Sequence, residues 1–492
     1  MTRQGWIAAG TLMLGGAAAL PAQAQTVQDL QRQIDELKAT IAELKAAQAG
    51  RASAPAAAPI APAGTAVAAS PTTGAPAVAP TATQSAATQP AVTRPTITQV
   101  AVVADKPKPA HWYERITLRG YTQMRLNEFL SGDRTAPAGV SRLRSVHDGG
   151  IGEDSNFTLR RVRLILQGDI SDRVSFYLQP DFATNVSNQS GGERREGFLQ
   201  LRDAYVDAFL DPDRRFRLRF GQSKVPFGWE NLQSSSNRLT LDRSDGINSA
   251  VPSERDLGVV AYYTPSRVEK IWDRLTDDGQ KLFGNYGAFG LAVYNGQGTN
   301  RAETNDGLMT VAMATWPIEL DGLGAGWTGQ VFEFGAAALR NQVKPELRAG
   351  GVSAVSFRDE RVGFHAMLYP QPIGFQAEWN WGRGPEFDRD LRAITTKRLN
   401  GGYIQTMARV RQSPLGPFMP YARWQRYRGG WKALPNAPRL DTDEWELGIE
   451  FQPTPPLELT IAYARMDRTE ADERRIGQAE GSLIRTQLQW NY

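Results

Sequence analysis

ERITLRGYTQMRLNEF, residues 114–129, is the stretch that decides the fold. Ile116, Leu118, Gly120, Thr122, Met124 and Leu126 fall on alternate positions, with Thr117, Arg119, Tyr121, Gln123, Arg125 and Asn127 between them. Successive side chains of a strand point to opposite faces of its sheet, so this reads as a β-strand with one apolar or small face and one polar face. In a soluble sandwich the apolar face packs on a core. In a membrane barrel it meets lipid, and the arginines line water.

The whole chain has 492 residues, 41% hydrophobic and 22% charged, with formal net charge +4 and a mean hydropathy of −0.42. Taken alone, these values fit a large soluble protein of about two or three domains. Past the extreme N-terminus no stretch approaches the ~18 apolar residues that a spanning helix needs, which excludes a helical membrane protein. A transmembrane barrel stays open, because only alternate side chains of its strands face lipid and the average remains polar. There are no cysteines, hence no disulfide framework, thiol chemistry or cysteine metal site. No cofactor and no nucleic-acid partner is expected.

Residues 1–24 read as a secretory signal peptide: Arg3, an apolar run over 7–20, and Ala22-Gln23-Ala24 as the cleavage site. In 25–49, Val27, Leu30, Ile34, Leu37, Ile41 and Leu44 recur at alternating spacings of three and four, the seam of a coiled coil. About three heptads are too few for strong stability alone, so this segment pairs only where something else gathers the chains. Residues 50–110 are almost wholly Ala, Pro, Thr, Ser, Gly and Val. They form a linker that cannot bury enough apolar surface to order itself. Residues 111–492 then form one all-β unit.

Alternation recurs there in about sixteen segments, from 115–127 to 482–492, with 285–295 and 401–411 among them. Long polar connections (128–156, 185–197, 225–255) alternate with tight turns at Ser171-Asp172-Arg173, Asp211-Pro212-Asp213, Pro370-Gln371-Pro372 and Pro453-Thr454-Pro455-Pro456. An even number of antiparallel strands, long loops at one end and short turns at the other, is the pattern of an outer-membrane β-barrel. One connection, 265–284, is long where a turn is expected. Aromatics near strand ends (Trp112, Tyr113, Tyr262, Tyr263, Trp316, Trp327, Tyr369, Trp379, Trp381, Trp490 and Tyr492) predict girdles at the two membrane interfaces. Ile116, Leu118 and Met124 are thus assigned to lipid, and Arg119 and Arg125 to the pore.

The same parity sends Arg161, Arg163, Arg217, Arg219, Arg409, Arg411, Arg423 and Arg485 inward. Guanidinium matches phosphate and carboxylate groups bidentately, so an anion path follows. Asp181, Asp203, Asp207, Glu378, Glu444, Glu446, Glu450 and Glu458 also point inward, and the lumen is mixed. Selectivity then rests on the charges at the narrowest point.

After strand five comes GQSKVPFGWENLQSSSNRLTLDRS, residues 221–244, with Lys224, Gly228, serines at 234–236, Arg238 and Arg243. Here the chain resembles the phosphate-selective porin O and P family, which carries a similar G-Q-x-K-x-P-F stretch before a long serine- and arginine-containing loop. LRDAYVDAFL (201–210) and the adjacent arginines of FTLRRVRL (157–164) resemble family patterns too. The resemblance implies a trimeric sixteen-stranded barrel in the bacterial outer membrane, its third loop folded into the pore beside an anion site. It places Arg160, Arg161, Asp203 and Lys224 near that site. Arg160 has outward parity: it turns inward only through a bulge, and otherwise is a snorkelling or subunit-interface arginine. Gly228 stands where phosphate-binding members are expected to carry a hydroxyl residue.

The expectation is a passive, homotrimeric channel for small anions, with phosphate as one candidate, surrounded by outer-membrane lipid. Arg161, Arg163, Arg217, Arg219 and Lys224 lie at a constriction built by 225–255, and the N-terminal segment is periplasmic. An enzyme is disfavoured, since His111, His147 and His365 have no nucleophile at a useful spacing. A general or sugar porin is the alternative, provided Tyr121, Tyr177, Tyr205, Tyr286 and Tyr294 are contiguous. A further alternative makes the coiled coil a tether to the cell wall.

Overall fold

A computed structural model describes residues 111–132, 143, 151, 155, 157–185, 196–284, 286–414 and 416–492. The expected signal peptide, coiled coil and linker lie outside the described residues.

The described residues contain sixteen antiparallel strands: β1 (Ile116–Gly132), β2 (Phe157–Ser171), β3 (Val174–Asn185), β4 (Glu196–Phe209), β5 (Phe216–Lys224), β6 (Arg255–Tyr263), β7 (Phe289–Tyr294), β8 (Met309–Glu319), β9 (Val331–Val343), β10 (Phe357–Leu368), β11 (Ile373–Asp388), β12 (Ala393–Ala408), β13 (Phe418–Gly430), β14 (Arg439–Thr454), β15 (Leu457–Ala471) and β16 (Ile476–Asn491). Each pairs with its sequence neighbours, and β1 pairs with β16 to close the barrel. Tyr121 lies opposite Asn491 at this seam. Closure removes every sheet edge, as a fold in lipid requires.

Parity behaves as the opening stretch demands. Tyr121, Gln123, Arg125 and Asn127 are buried toward the interior, whereas Leu118 on the other face is 67% exposed. Leu291 and Leu447 are exposed in the same outward sense, and Trp381, Trp445, Tyr463 and Tyr492 form the aromatic surface. Tyr262 and Tyr369, assigned above to the girdles, are instead buried: both point into the lumen, where each ring packs in an interior apolar cluster. Arg409 and Arg411 also depart from their assignment. They lie past the end of β12 and both grip Asp278, at 2.8 Å each.

Long loops and short turns alternate from β1 to β6, and the connection from β6 to β7, residues 264–288, breaks the pattern. In the second half the wall itself lengthens, with β11, β12, β14 and β16 each running 16 residues, and the connections 389–392 and 472–475 are correspondingly brief.

Two connections fold inward. Residues 225–254 enter the barrel after β5 and carry two short helices, α1 (Trp229–Leu232) and α2 (Asp245–Ala250). The connection between β6 and β7 carries α3 (Ser266–Asp277), which starts directly after Pro265, a residue that cannot extend the preceding strand. Val268, Ile271, Trp272 and Leu275, at helical spacing, are buried, while Arg267, Lys270, Asp273 and Arg274 are exposed. The apolar face of α3 packs with Trp229, Leu232 and Leu239 of the inserted loop and with Val331, Met367, Met407 and Met419 of the wall. A hydrophobic core therefore forms inside the barrel. It occupies the side lined by β9, β10, β12 and β13, a second apolar cluster lines β6 to β9, and the polar wall of β1 to β5 and β16 faces the rest of the lumen.

Candidate functional site

Most inward arginines are matched by a carboxylate. Arg163 Nε donates to Asp181 Oδ2 at 2.7 Å. Arg219 holds Asp207 bidentately at 2.7 and 2.8 Å, and Arg361 donates to Asp359 at 2.7 Å. Asp203 receives Arg255 at 2.8 Å, so it orients Arg255, a residue the sequence reading had not singled out.

Two carboxylates of the inserted loop have a different environment. Asp242 is met by Arg125 at 2.9 Å, Arg160 at 3.3 Å and Arg161 at 3.9 Å, and by Arg485 in close contact. Neutral amides orient three of these cations without cancelling their charge. Gln487 Oε1 accepts from Arg125 Nη2 at 2.7 Å, Gln123 Oε1 from Arg161 Nη1 at 2.7 Å, and Asn127 Oδ1 from Arg485 Nε at 3.2 Å. Arg160 joins through a bulge: Gln123 pairs with Arg161 and Met124 with Leu159, which leaves Arg160 as the extra residue. Burial alone would raise the Asp242 carboxyl, but Arg125, Arg485, Arg160 and Arg161 outweigh it and hold it well below the usual range.

Glu254 is the second centre. It contacts Arg255 directly and lies 3.4 Å from Arg243, 3.9 Å from Arg202 and 4.0 Å from Lys224. Lys224 has a further task. Its Nζ donates to the carbonyls of Asn231 at 2.9 Å and Gln233 at 2.6 Å, so it fastens the loop back on the strand that precedes it. From the opposite wall, Glu378 accepts from the backbone N–H groups of Trp229 and Glu230 at 2.8 and 3.0 Å. Gly228 has φ +91°, and a Cβ there would lie 2.6 Å from Glu378 Oε1. The turn into α1 therefore favours glycine, and a hydroxyl residue there is strained and displaces the Glu378 carboxylate.

Arg217 and Arg219 belong to a separate, aromatic group. Arg219 lies 3.7 Å from the centroid of the Tyr205 ring and 5.2 Å from that of Tyr286, and Arg217 lies 5.0 Å from that of Tyr262. Tyr177 stacks on Tyr205 at 5.1 Å. Tyr121 stands apart from them, its hydroxyl accepting from Arg163, whereas Tyr294 shares the apolar cluster of Tyr262 and Tyr286 and donates to the Lys224 carbonyl. The expected residues thus divide into Arg160 and Arg161 at Asp242, Lys224 and Asp203 around Glu254 and Arg255, and Arg217 and Arg219 among tyrosines. Asp242 and Glu254, the two centres, sit in a loop without strand parity, and no face could be read for them.

The family model for phosphate-selective porin O and P matches residues 137–492, which takes in β2 to β16 and the whole inserted loop. The chain belongs to that family. It is an outer-membrane channel of the porin type and not an enzyme. No curated protein sequence matches this porin. Among solved structures, the outer-membrane channel DcaP of Acinetobacter baumannii is 13% identical, covering 77% of this chain and 97% of its own, with a TM-score of 0.46. The anion-selective porin from Comamonas acidovorans is 11% identical, covering 77% and 99%, with a TM-score of 0.44. The trimer form of OmpT of Vibrio cholerae is 8% identical, covering 77% and 99%, with a TM-score of 0.42.

Proposed function

We propose that this porin passes small anions, phosphate among them, through a constriction that residues 225–254 build against the arginine-bearing wall. The observation that carries this is the charge around the two loop carboxylates. Arg125, Arg160, Arg161 and Arg485 surround Asp242, and Arg202, Lys224, Arg243 and Arg255 surround Glu254. Asp203 and Glu446 add the further acidic contacts to these sets. Cations from β1, β2, β4, β5, β6 and β16 thus gather around two loop carboxylates, an arrangement that concentrates anions in a narrow, low-dielectric passage.

Arg160 and Arg202, with side chains 21% and 15% exposed, are the most accessible members of the two sets. Asp242 and Glu254 compete with it for the same guanidiniums, which keeps binding weak enough for release. A sugar-stacking path has less support, because one face of Tyr205 packs on Tyr177 and Arg219 also covers the ring. We further propose that the channel is a homotrimer with its N-terminal segment in the periplasm, where the coiled coil gathers or tethers the barrels.

The test is the reversal potential of the purified porin in a planar bilayer under a KCl gradient, followed by phosphate titration of the chloride current. Chloride selectivity with block by phosphate is the expected result. Cation selectivity would overturn the reading, and chloride selectivity without block would remove phosphate from it.

A further inference from the structure

We infer that the lumen holds a buried site for a monatomic anion of halide size, between Arg238 of the inserted loop and Arg423 of β13. This goes beyond conduction and does not depend on it. The two arginines line one cavity of about 10 Å³, together with Gln233, Thr240, Lys281 and Gln376. Arg238 is 7% exposed and Arg423 3%. Each leaves its Nε and Nη2 buried and without a hydrogen-bond partner among the described residues.

The carboxylates nearby are already engaged. Glu230 Oε1 accepts from Arg423 Nη1 at 2.8 Å, and its Oε2 from the backbone N–H of Ser244 at 2.9 Å. Glu450 and Glu458 take Lys281 at 2.9 and 3.5 Å. Arg238 has no ion-pair partner of its own among the described residues, and a buried, unpaired guanidinium is a costly thing to fold. The unpartnered groups are all donors, because guanidinium has no acceptor. A water has too few lone pairs for them and cancels no charge. A single anion does both.

Size selects the class of ligand. The cavity has the room of about one water, which suits chloride and excludes phosphate and carboxylates. In that place the ion neutralises Arg238 and ties the inserted loop to β13, so it is a structural ligand of the constriction.

The experiment uses the full-length porin and bromide as the probe. Crystals soaked in sodium bromide should give an anomalous peak in contact with both guanidiniums, and Arg238→Gln should abolish it. In solution, replacing gluconate by chloride at fixed ionic strength should raise the wild-type thermal midpoint by a few degrees, since a ligand of the native state stabilises it. Arg238→Gln should remove that difference. Density without anomalous signal would mean water and overturn the inference, as would an equal chloride effect in the variant. Should Arg238→Gln fail to fold, the wild-type bromide peak still decides. The reversal potential of the same preparation separates the two readings: anion selectivity without a peak sinks the site alone, and a peak in a cation-selective channel sinks the conduction reading alone.

Discussion

The carboxylate of Asp242 meets Arg125 of β1 at 2.9 Å and grips Arg485 of β16 through the same oxygen, so one loop residue bridges the seam where the barrel closes. It is also the resident counter-ion of the most cationic part of the wall. Asp242→Asn keeps the shape and removes the charge. It should strengthen anion selectivity and lower the phosphate concentration that halves the chloride current by about tenfold, equivalent to ~1.4 kcal/mol. Phosphate titration of wild type and variant in parallel is the check. An unchanged half-block would mean that permeating anions do not feel Asp242.

The same residue predicts a pH dependence. Its native carboxyl titrates well below the usual range, because the four arginines outweigh the effect of burial. A depressed native value stabilises the fold at pH above the unfolded value of ~3.9, and that contribution is lost as pH falls through the native value. The gap in thermal midpoint between wild type and Asp242→Asn should therefore be equal at about pH 7 and pH 5 and narrow at about pH 3. A gap that narrows already between pH 7 and pH 5 would contradict the assignment.

Gly228→Ser tests whether a hydroxyl there serves anion binding. With φ +91° and a Cβ 2.6 Å from Glu378 Oε1, serine strains the backbone and pushes away the carboxylate that holds α1. The expected cost is about 1–3 kcal/mol, read as a lower thermal midpoint, with no gain in phosphate block. Tighter block by the variant would show that the loop tolerates serine and uses it.

The barrel was legible because its signal is covalent: parity along a strand cannot be hidden, and sixteen strands and the inward arginines follow from it. Arg160 was legible as an anomaly: its outward parity left open a bulge or a snorkelling arginine, and the register shift between Gln123 and Met124 decides for the bulge. Asp242 and Glu254 escaped because they lie in a loop whose turns set their directions, and sequence gives no period to read there. Arg202 and Arg255 escaped although they lie in β4 and β6, because their roles depend on Glu254. The helix in 264–288 is a different case. Its apolar residues at 268, 271, 272 and 275 carry helical spacing in plain view, but 265–284 stood out only as a connection too long for the turn expected at that end of a barrel. Strand ends were short for a physical reason too: β12 begins at Ala393, eight residues before the expected start at 401, because the wall continues beyond the apolar band into residues with no lipid-facing pattern.

Trp272 anchors that helix. It is 1% exposed, and its Nε1 donates to Glu333 Oε2 at 3.0 Å, which also accepts from the Tyr369 hydroxyl at 2.8 Å. Trp272→Ala removes a large ring from the interior core and one donor from a buried carboxylate. A loss of about 3–5 kcal/mol is expected, measured by equilibrium unfolding in urea, and the inserted loop should become sensitive to added protease because Trp229 and Leu232 share the core. Stability close to wild type would mean that α3 packs weakly.

Lys224 and Arg161 separate structure from charge at the proposed constriction. Arg161 lies in the Asp242 set, held by Gln123 at 2.7 Å, and Arg161→Glu places a negative charge among the cations around Asp242. It should move the reversal potential toward cation selectivity while the barrel still folds. Lys224 spends its donors on the carbonyls of Asn231 and Gln233. Lys224→Gln removes one positive charge too, but its main consequence is to leave buried carbonyls without a donor, at about 1–3 kcal/mol. The expected outcome is noisy or enlarged single-channel conductance and a lower thermal midpoint, with selectivity changed less than in Arg161→Glu. If Lys224→Gln instead shifted selectivity fully while leaving conductance steady, the ammonium would be acting on the permeating anion and not on the loop.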